Sequence, residues 1–156
     1  MKGGKDIKRI IVIVFCILFF VTGVYDIHAL CVKVSKANIR MGPGTNYEKA
    51  WEVFRYMPFL KVGVSTCGNW YAVKDVDGDV NWIHKNLVTT KYHCTVVKTE
   101  QVNVRTGPGT GYPKSPVSPA LHYDTFKVIK RHSTWVEVKD EKGNIGWIHR
   151  DYLWTQ

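Results

Sequence analysis

From residue 30 onward the chain alternates apolar and polar residues in short runs, each closed by a turn signal. Val32–Ser35 and Asn38–Met41 come first, with Ile39 as the lone apolar residue between Asn38 and Arg40. Gly42-Pro43-Gly44 then stops the ladder, because proline donates no backbone hydrogen bond. Trp51–Arg55 and Leu60–Thr66 follow, split at Met57-Pro58. Trp70–Lys74 and Val80–His84 flank Asp75-Val76-Asp77-Gly78-Asp79, whose Asp-Gly pair marks a hairpin. No segment sustains a helical period. Many short strands with Gly/Pro turns predict an all-β fold.

The pattern occurs twice. Asn38-Ile39-Arg40-Met41-Gly42-Pro43-Gly44-Thr45-Asn46-Tyr47 returns as Asn103-Val104-Arg105-Thr106-Gly107-Pro108-Gly109-Thr110-Gly111-Tyr112, 65 positions on. At the same offset Trp70 meets Trp135, Gly78 meets Gly143, and Trp82-Ile83-His84 meets Trp147-Ile148-His149. In the middle the alignment slips by one residue, where Leu60-Lys61-Val62 matches Phe126-Lys127-Val128 better. Linear arrays repeat every ~20–50 residues, so two copies of a longer unit read as tandem domains. Each has room for five or six strands closed into a small barrel. The expected division is a leader over 1–29 and barrels over 30–91 and 92–156. The short linker Thr89–His93 lacks the composition of a flexible tether, so the barrels are expected to lie close together.

The leader changes how charge is read. Lys2, Lys5, Lys8 and Arg9 precede an uncharged apolar run from Ile10 to Val24. That run is short for a membrane span, which needs about 20 residues, and fits a secretory signal with Ala29 at the cleavage position. The alternative is an uncleaved anchor, the one case in which the membrane is a partner. Removing 1–29 takes the formal charge from +9 to +7. In a cytoplasmic protein such a balance suggests nucleic acid; outside the cytoplasm it does not, and envelope polymers and exported proteins become the expected partners. The expected location is exported: periplasm, cell surface or secreted. An oxidising compartment permits disulfides. Of Cys31, Cys67 and Cys94, at least one stays unpaired in a monomer; Cys31–Cys94 is the preferred pair, since the ends of a small barrel lie close together.

The ordered set Asn-Val-Arg-x-Gly-Pro-Gly-Thr-x-Tyr, Trp-x-x-Val-x-Asp and Gly-x-x-Gly-Trp-Ile-His resembles the bacterial Src-homology-3-like (SH3b) domain. The resemblance covers Val32–Val88 and Val97–Leu153. It departs at Asn81, which stands where the second copy has Gly146 and is expected to alter the turn into that strand. It implies two small five- to seven-stranded barrels, usually non-catalytic. Such domains often target cell-wall hydrolases to peptidoglycan; others occur alone in exported proteins.

Strand alternation sharpens the site. In Trp135–Val138 the valines face inward and Trp135 outward; Ile148 faces inward, with Trp147 and His149 outward. The first copy repeats this, with Tyr71, Val73 and Ile83 inside and Trp70, Trp82 and His84 outside. Each barrel is thus expected to show two Trp and one His, joined by Tyr47 or Tyr112. Such a surface suits a sugar face or an extended peptide; alternatively these tryptophans cover the barrel or form the contact between domains. His84 and His149 lack a second His or a carboxylate at metal-ligand spacing, so neither a metal nor a cofactor is expected. A Cys67–His84 nucleophile pair is not part of the shared plan, since His132 stands near the Cys67 position in the second copy. The acidic hairpin resembles a calcium loop only at its start: Asn86 stands where a full loop needs Glu. The expectation is a non-catalytic module for peptidoglycan or peptide. A scaffold docking onto another exported protein and a Cys/His wall hydrolase are the alternatives.

Overall fold

Each sequence repeat folds into the same run of seven strands, and the two lobes share one plan. A computed structural model describes residues 29–155; the leader, apart from Ala29, lies outside the described residues. In the first lobe the strands are β1 (Ala29–Val32), β2 (Lys36–Arg40), β3 (Lys49–Phe54), β4 (Pro58–Val64), β5 (Trp70–Lys74), β6 (Val80–His84) and β7 (Val88–Thr89). In the second they are β8 (Cys94–Val97), β9 (Gln101–Val102), β10 (Ala120–Leu121), β11 (Thr125–His132), β12 (Trp135–Lys139), β13 (Ile145–His149) and β14 (Leu153–Thr155). A single 3₁₀ turn precedes each last strand, at Lys85–Leu87 and Arg150–Tyr152.

The first lobe is one antiparallel sheet in the order β3-β2-β6-β5-β4-β1-β7. The second keeps β13-β12-β11-β8-β14 as a five-stranded sheet and pairs β9 with β10 separately. The difference lies where the second copy carries Pro113, Pro116 and Pro119. Three residues unable to donate to a ladder leave no long counterpart of β3.

Alternation places the aliphatic core as the pattern predicts, while Trp70, expected to face outward, is itself buried. Ile39, Val73 and Ile83 are buried in the first lobe, and Val104, Val138 and Ile148 in the second. Each such aliphatic side chain contributes on the order of 1.5–3 kcal/mol on burial.

The internal slip is two residues, one more than the sequence match implies. Leu30 pairs with Phe59 and Thr95 with Phe126, so β1 and β8 differ by 65 positions while β4 and β11 differ by 67. Left-handed Tyr56 and Tyr123, both at φ 69°, repeat at the same longer spacing. The excess enters in the proline-rich segment and leaves at the next hairpin. There Ser65 and Trp70 flank four residues, whereas His132 and Trp135 flank two. His132 therefore corresponds to Ser65, and Cys67 sits in a turn the second lobe lacks.

Asn81 does not alter the turn before it. The Asp75 N–H donates to Asp79 O at 3.1 Å, and Asp140 N–H to Asn144 O at 3.0 Å. Asn81 pairs with Val73 as Gly146 pairs with Val138. Glycine at 146 answers a packing need instead: a Cβ there would lie 2.3 Å from Val104 Cγ1.

The lobes pack directly on each other. Cys31 in β1 is disulfide-bonded to Cys94 in β8, with Cα atoms 5.9 Å apart. Cys94 belongs to the first strand of the second lobe, so the bond fastens one lobe to the other and does not close the first upon itself. Val96 of β8 is fully buried in the first lobe's core, and Trp154 packs against that core. Tyr92 of the linker meets Tyr56 edge to face at 5.7 Å, and Lys127 Nζ lies 5.1 Å from the centre of its ring. Burial pushes the Tyr92 phenol up, with Tyr56 adding and Arg55 opposing. Arg55 Nε donates to Glu141 Oε1 at 3.0 Å, and Thr125 Oγ1 donates to Arg55 O at 2.7 Å.

Candidate functional site: twin Trp–His grooves

A groove recurs at matching positions in the two lobes. In the first it is lined by Asn38, Arg40, Thr45, Trp70, His84 and neighbours, and in the second by Asn103, Arg105, Thr110, Trp135, His149 and neighbours. The volumes are about 240 and 430 Å³. All five correspondences fall at the 65-residue offset, so the groove is a property of the repeated sequence.

The Trp and His are cross-strand partners on one hairpin. Trp70 on β5 lies opposite His84 on β6, and Trp135 on β12 lies opposite His149 on β13. Their rings meet edge to face, at 5.2 Å and 90° in the first lobe and 5.4 Å and 86° in the second. The histidines also cap the following 3₁₀ turns. His84 Nδ1 accepts from Asn86 N–H at 3.3 Å, and His149 Nδ1 accepts from Asp151 N–H at 3.4 Å. Accepting at Nδ1 puts the proton of the neutral ring on Nε2, which is thereby a hydrogen-bond donor. The grooves differ at their rims. The second has Asp151, with Oδ2 3.6 Å from His149 Nδ1, and Tyr152; the first has Leu87 and Lys36.

The remaining aromatic residues of the expected set are placed elsewhere. Trp147 is 7 % exposed, with Lys130 Nζ 5.3 Å from the centre of its ring. Trp82 is half-buried and pairs with Arg40 in the ladder. Neither lines a groove. Tyr47 and Tyr112 are exposed, but their rings lie back on the Gly-Pro-Gly turn and do not line the grooves with the Trp–His pairs. A Cβ on Gly42 would stand 2.2 Å from Tyr47 Cδ1, and one on Gly107 2.3 Å from Tyr112 Cδ1. These glycines are needed for close approach of the ring and are not in the left-handed region. Arg40 Nη1 and Arg105 Nη1 lock the same loop, each donating to the tyrosine carbonyl at 2.7 Å.

Asn, Arg and Thr of the repeated stretch complete each groove, although alternation does not single them out. Their signal was the repeat itself: polar residues held at fixed spacing beside a turn.

Two protein-family profiles described as Bacterial SH3 domain match the chain, one over residues 33–89 and the other over 100–153. The chain belongs to the bacterial SH3 family, with two domains in tandem. Each match falls within one lobe, and the all-β fold agrees with it. A comparison with curated proteins finds no match. Among solved structures, NlpC2 from Trichomonas vaginalis is similar at 12% identity and TM-score 0.36, over 85% of this chain and 49% of that one. An NlpC/P60 family protein from Bacillus cereus ATCC 10987 is similar at 10% identity and TM-score 0.36, over 82% of this chain and 56% of that one. The structure titled Endolysin LysPBC5 CBD is similar at 13% identity and TM-score 0.34, over 83% of this chain and 94% of that one. The tandem bacterial SH3 chain spans about half the length of the two NlpC proteins.

The bacterial SH3 lobes place the nucleophile candidates in separate bonds. Cys67 is exposed, its Sγ 3.3 Å from Ser65 Oγ, while His84 Nδ1 is taken by the Asn86 N–H. The Ser65 hydroxyl, followed by the Asn69 backbone, holds the Cys67 thiol below its ordinary range. In the acidic hairpin Asp75 Oδ1 accepts from Asp77 N–H at 3.1 Å and Asp79 N–H at 2.9 Å. That carboxylate is occupied in holding the turn.

Proposed function

We propose that this chain is an exported, non-catalytic binding module that takes a cell-envelope ligand, peptidoglycan or peptide, in its twin Trp–His grooves. Duplication of the groove carries the reading: the same five residue positions line it in both lobes, although the lobes differ in strand length and loop content. The chemistry supports a ligand with both apolar faces and polar groups. The indole offers a flat apolar wall, while Asn and Thr side chains and His Nε2–H offer donors and acceptors for amides or hydroxyls. Arg40 and Arg105 each keep guanidinium donors beyond the one spent on the tyrosine carbonyl, suited to a carboxylate. Export rests on the basic segment and apolar run of the leader.

Sedimentation with purified peptidoglycan sacculi tests this. The parent protein is expected to be retained at low salt and a His84→Ala/His149→Ala variant to be released. Absence of retention by the parent rejects a peptidoglycan ligand. Co-purification with one defined envelope protein, insensitive to the histidine changes, would support a scaffold instead.

A further inference from the structure

The cleft between the lobes is chemically unlike the grooves. Its volume is about 510 Å³. Trp51 and Phe54 come from the first lobe and Tyr123 from the second. Trp51 and Tyr123 stand 5.9 Å apart with their planes tilted by 56°. Three carboxylates, Glu52, Asp75 and Asp79, also line the cleft, and no Lys or Arg does. This is an acidic, aromatic recess on a chain of formal charge +9.

We propose that the cleft binds an organic ammonium group. Aromatic faces carry negative potential and attract cations, more strongly where water is excluded. Glu52 is already paired with Lys36 at 2.8 Å and lies 4.0 Å from Lys49. The uncompensated negative charge is therefore that of Asp75 and Asp79. Burial holds the Asp75 carboxyl above its usual range; the Asp79 and Asp77 backbone N–H groups oppose this, and repulsion from the Asp79 and Asp77 carboxylates adds to it. A cation entering the cleft relieves that repulsion, whereas an anion increases it. A hard divalent metal is a poorer fit. It needs about six oxygens, and Asp75 Oδ1 is already committed to two backbone N–H groups. Among the described residues no cluster of His, Cys, Asp and Glu is arranged to hold one. Alkylammonium instead asks for aromatic walls and nearby negative charge, which the cleft supplies. Since Tyr123 comes from the second lobe, the site exists only while the lobes are docked.

Backbone-amide NMR titration of the full chain at constant ionic strength tests the proposal. The probes are choline chloride, n-butylammonium chloride and 3,3-dimethylbutan-1-ol, the last a neutral isostere of choline. The cations are expected to shift Trp51, Asp79 and Tyr123, with the alcohol about tenfold weaker or more. Asp79→Asn and, independently, Phe54→Ala are expected to weaken choline binding by about threefold or more while leaving Trp70 and Trp135 resonances in place. Both positions are exposed, so the fold should tolerate them. Equal binding of the neutral alcohol, shifts centred on the Trp–His grooves, or no shift with either cation would each overturn the proposal.

Discussion

The Trp135 and His149 rings meet edge to face at 5.4 Å, and the same His caps the 3₁₀ turn that leads into β14. One side chain thus fixes both the aromatic wall and the turn beside it, and the Trp70–His84 pair repeats the device. Trp135→Leu keeps apolar bulk but removes the wall. Its retention on sacculi should fall, and the Trp70→Leu/Trp135→Leu double variant should fall by about tenfold or more, as expected for a central aromatic anchor. Far-UV circular dichroism separates lost binding from lost fold. Undiminished retention by a folded double variant would show that the grooves are not used.

The Cys31–Cys94 bond closes a long chain segment, with a sequence separation of 63. Chain-entropy arguments give a crosslink closing a loop of this length about 4 kcal/mol. Cys31→Ala/Cys94→Ala is expected to lower the urea midpoint accordingly. Because the bond joins two lobes, its removal should also separate their unfolding into distinguishable transitions. A variant that unfolds in one unshifted transition would contradict this.

Asp75 gives a pH signature. Its folded-state value is raised, mainly by burial, so the folded chain holds more proton than the unfolded chain between the ordinary Asp value and the raised one. Stability from this group therefore falls as pH rises through that window, and above it the charge is a cost. Asp75→Asn keeps an oxygen for the Asp77 and Asp79 N–H groups and removes the charge. The variant should match or exceed the parent in stability at pH 7, and its advantage should vanish in acid, where both sites are neutral. Denaturation curves at the two pH values decide; a variant clearly weaker at pH 7 would sink the argument.

At Gly146 a methyl group meets Val104 Cγ1 at 2.3 Å. Gly146→Ala should destabilise the second lobe by about 1–3 kcal/mol, the usual cost of overpacking. Val104→Ala in the same background should recover part of that loss, so the two changes are coupled. Simple additivity in a thermal-melt cycle would show that the contact does not limit packing.

The repeat, the all-β class and the inward valines and isoleucines were legible because each rests on a local rule: turn residues, alternation and a fixed offset. Alternation also brought Trp70 and His84 to one face. It could not reveal that Lys130 extends over Trp147, since what covers an outward ring is decided by a neighbouring strand. The outward tyrosines were misplaced for a related reason. Tyr47 folds onto Gly42, a contact that sequence registers only as an absent side chain. The two-residue slip was hidden because its gain and loss cancel before Trp135. The meaning of Cys94 was hidden too: it looks like a closing end of the first copy and is a strand residue of the second.

Locked lobes have one further consequence. Twin sites on a slack tether sample many separations and engage almost any array of ligands. Here the disulfide, the shared core around Val96 and the Arg55–Glu141 pair hold them on one frame. Under the proposed function the grooves would act as a gauge: a polymer whose period matches their spacing would fill both at once, and a mismatched one would fill them singly.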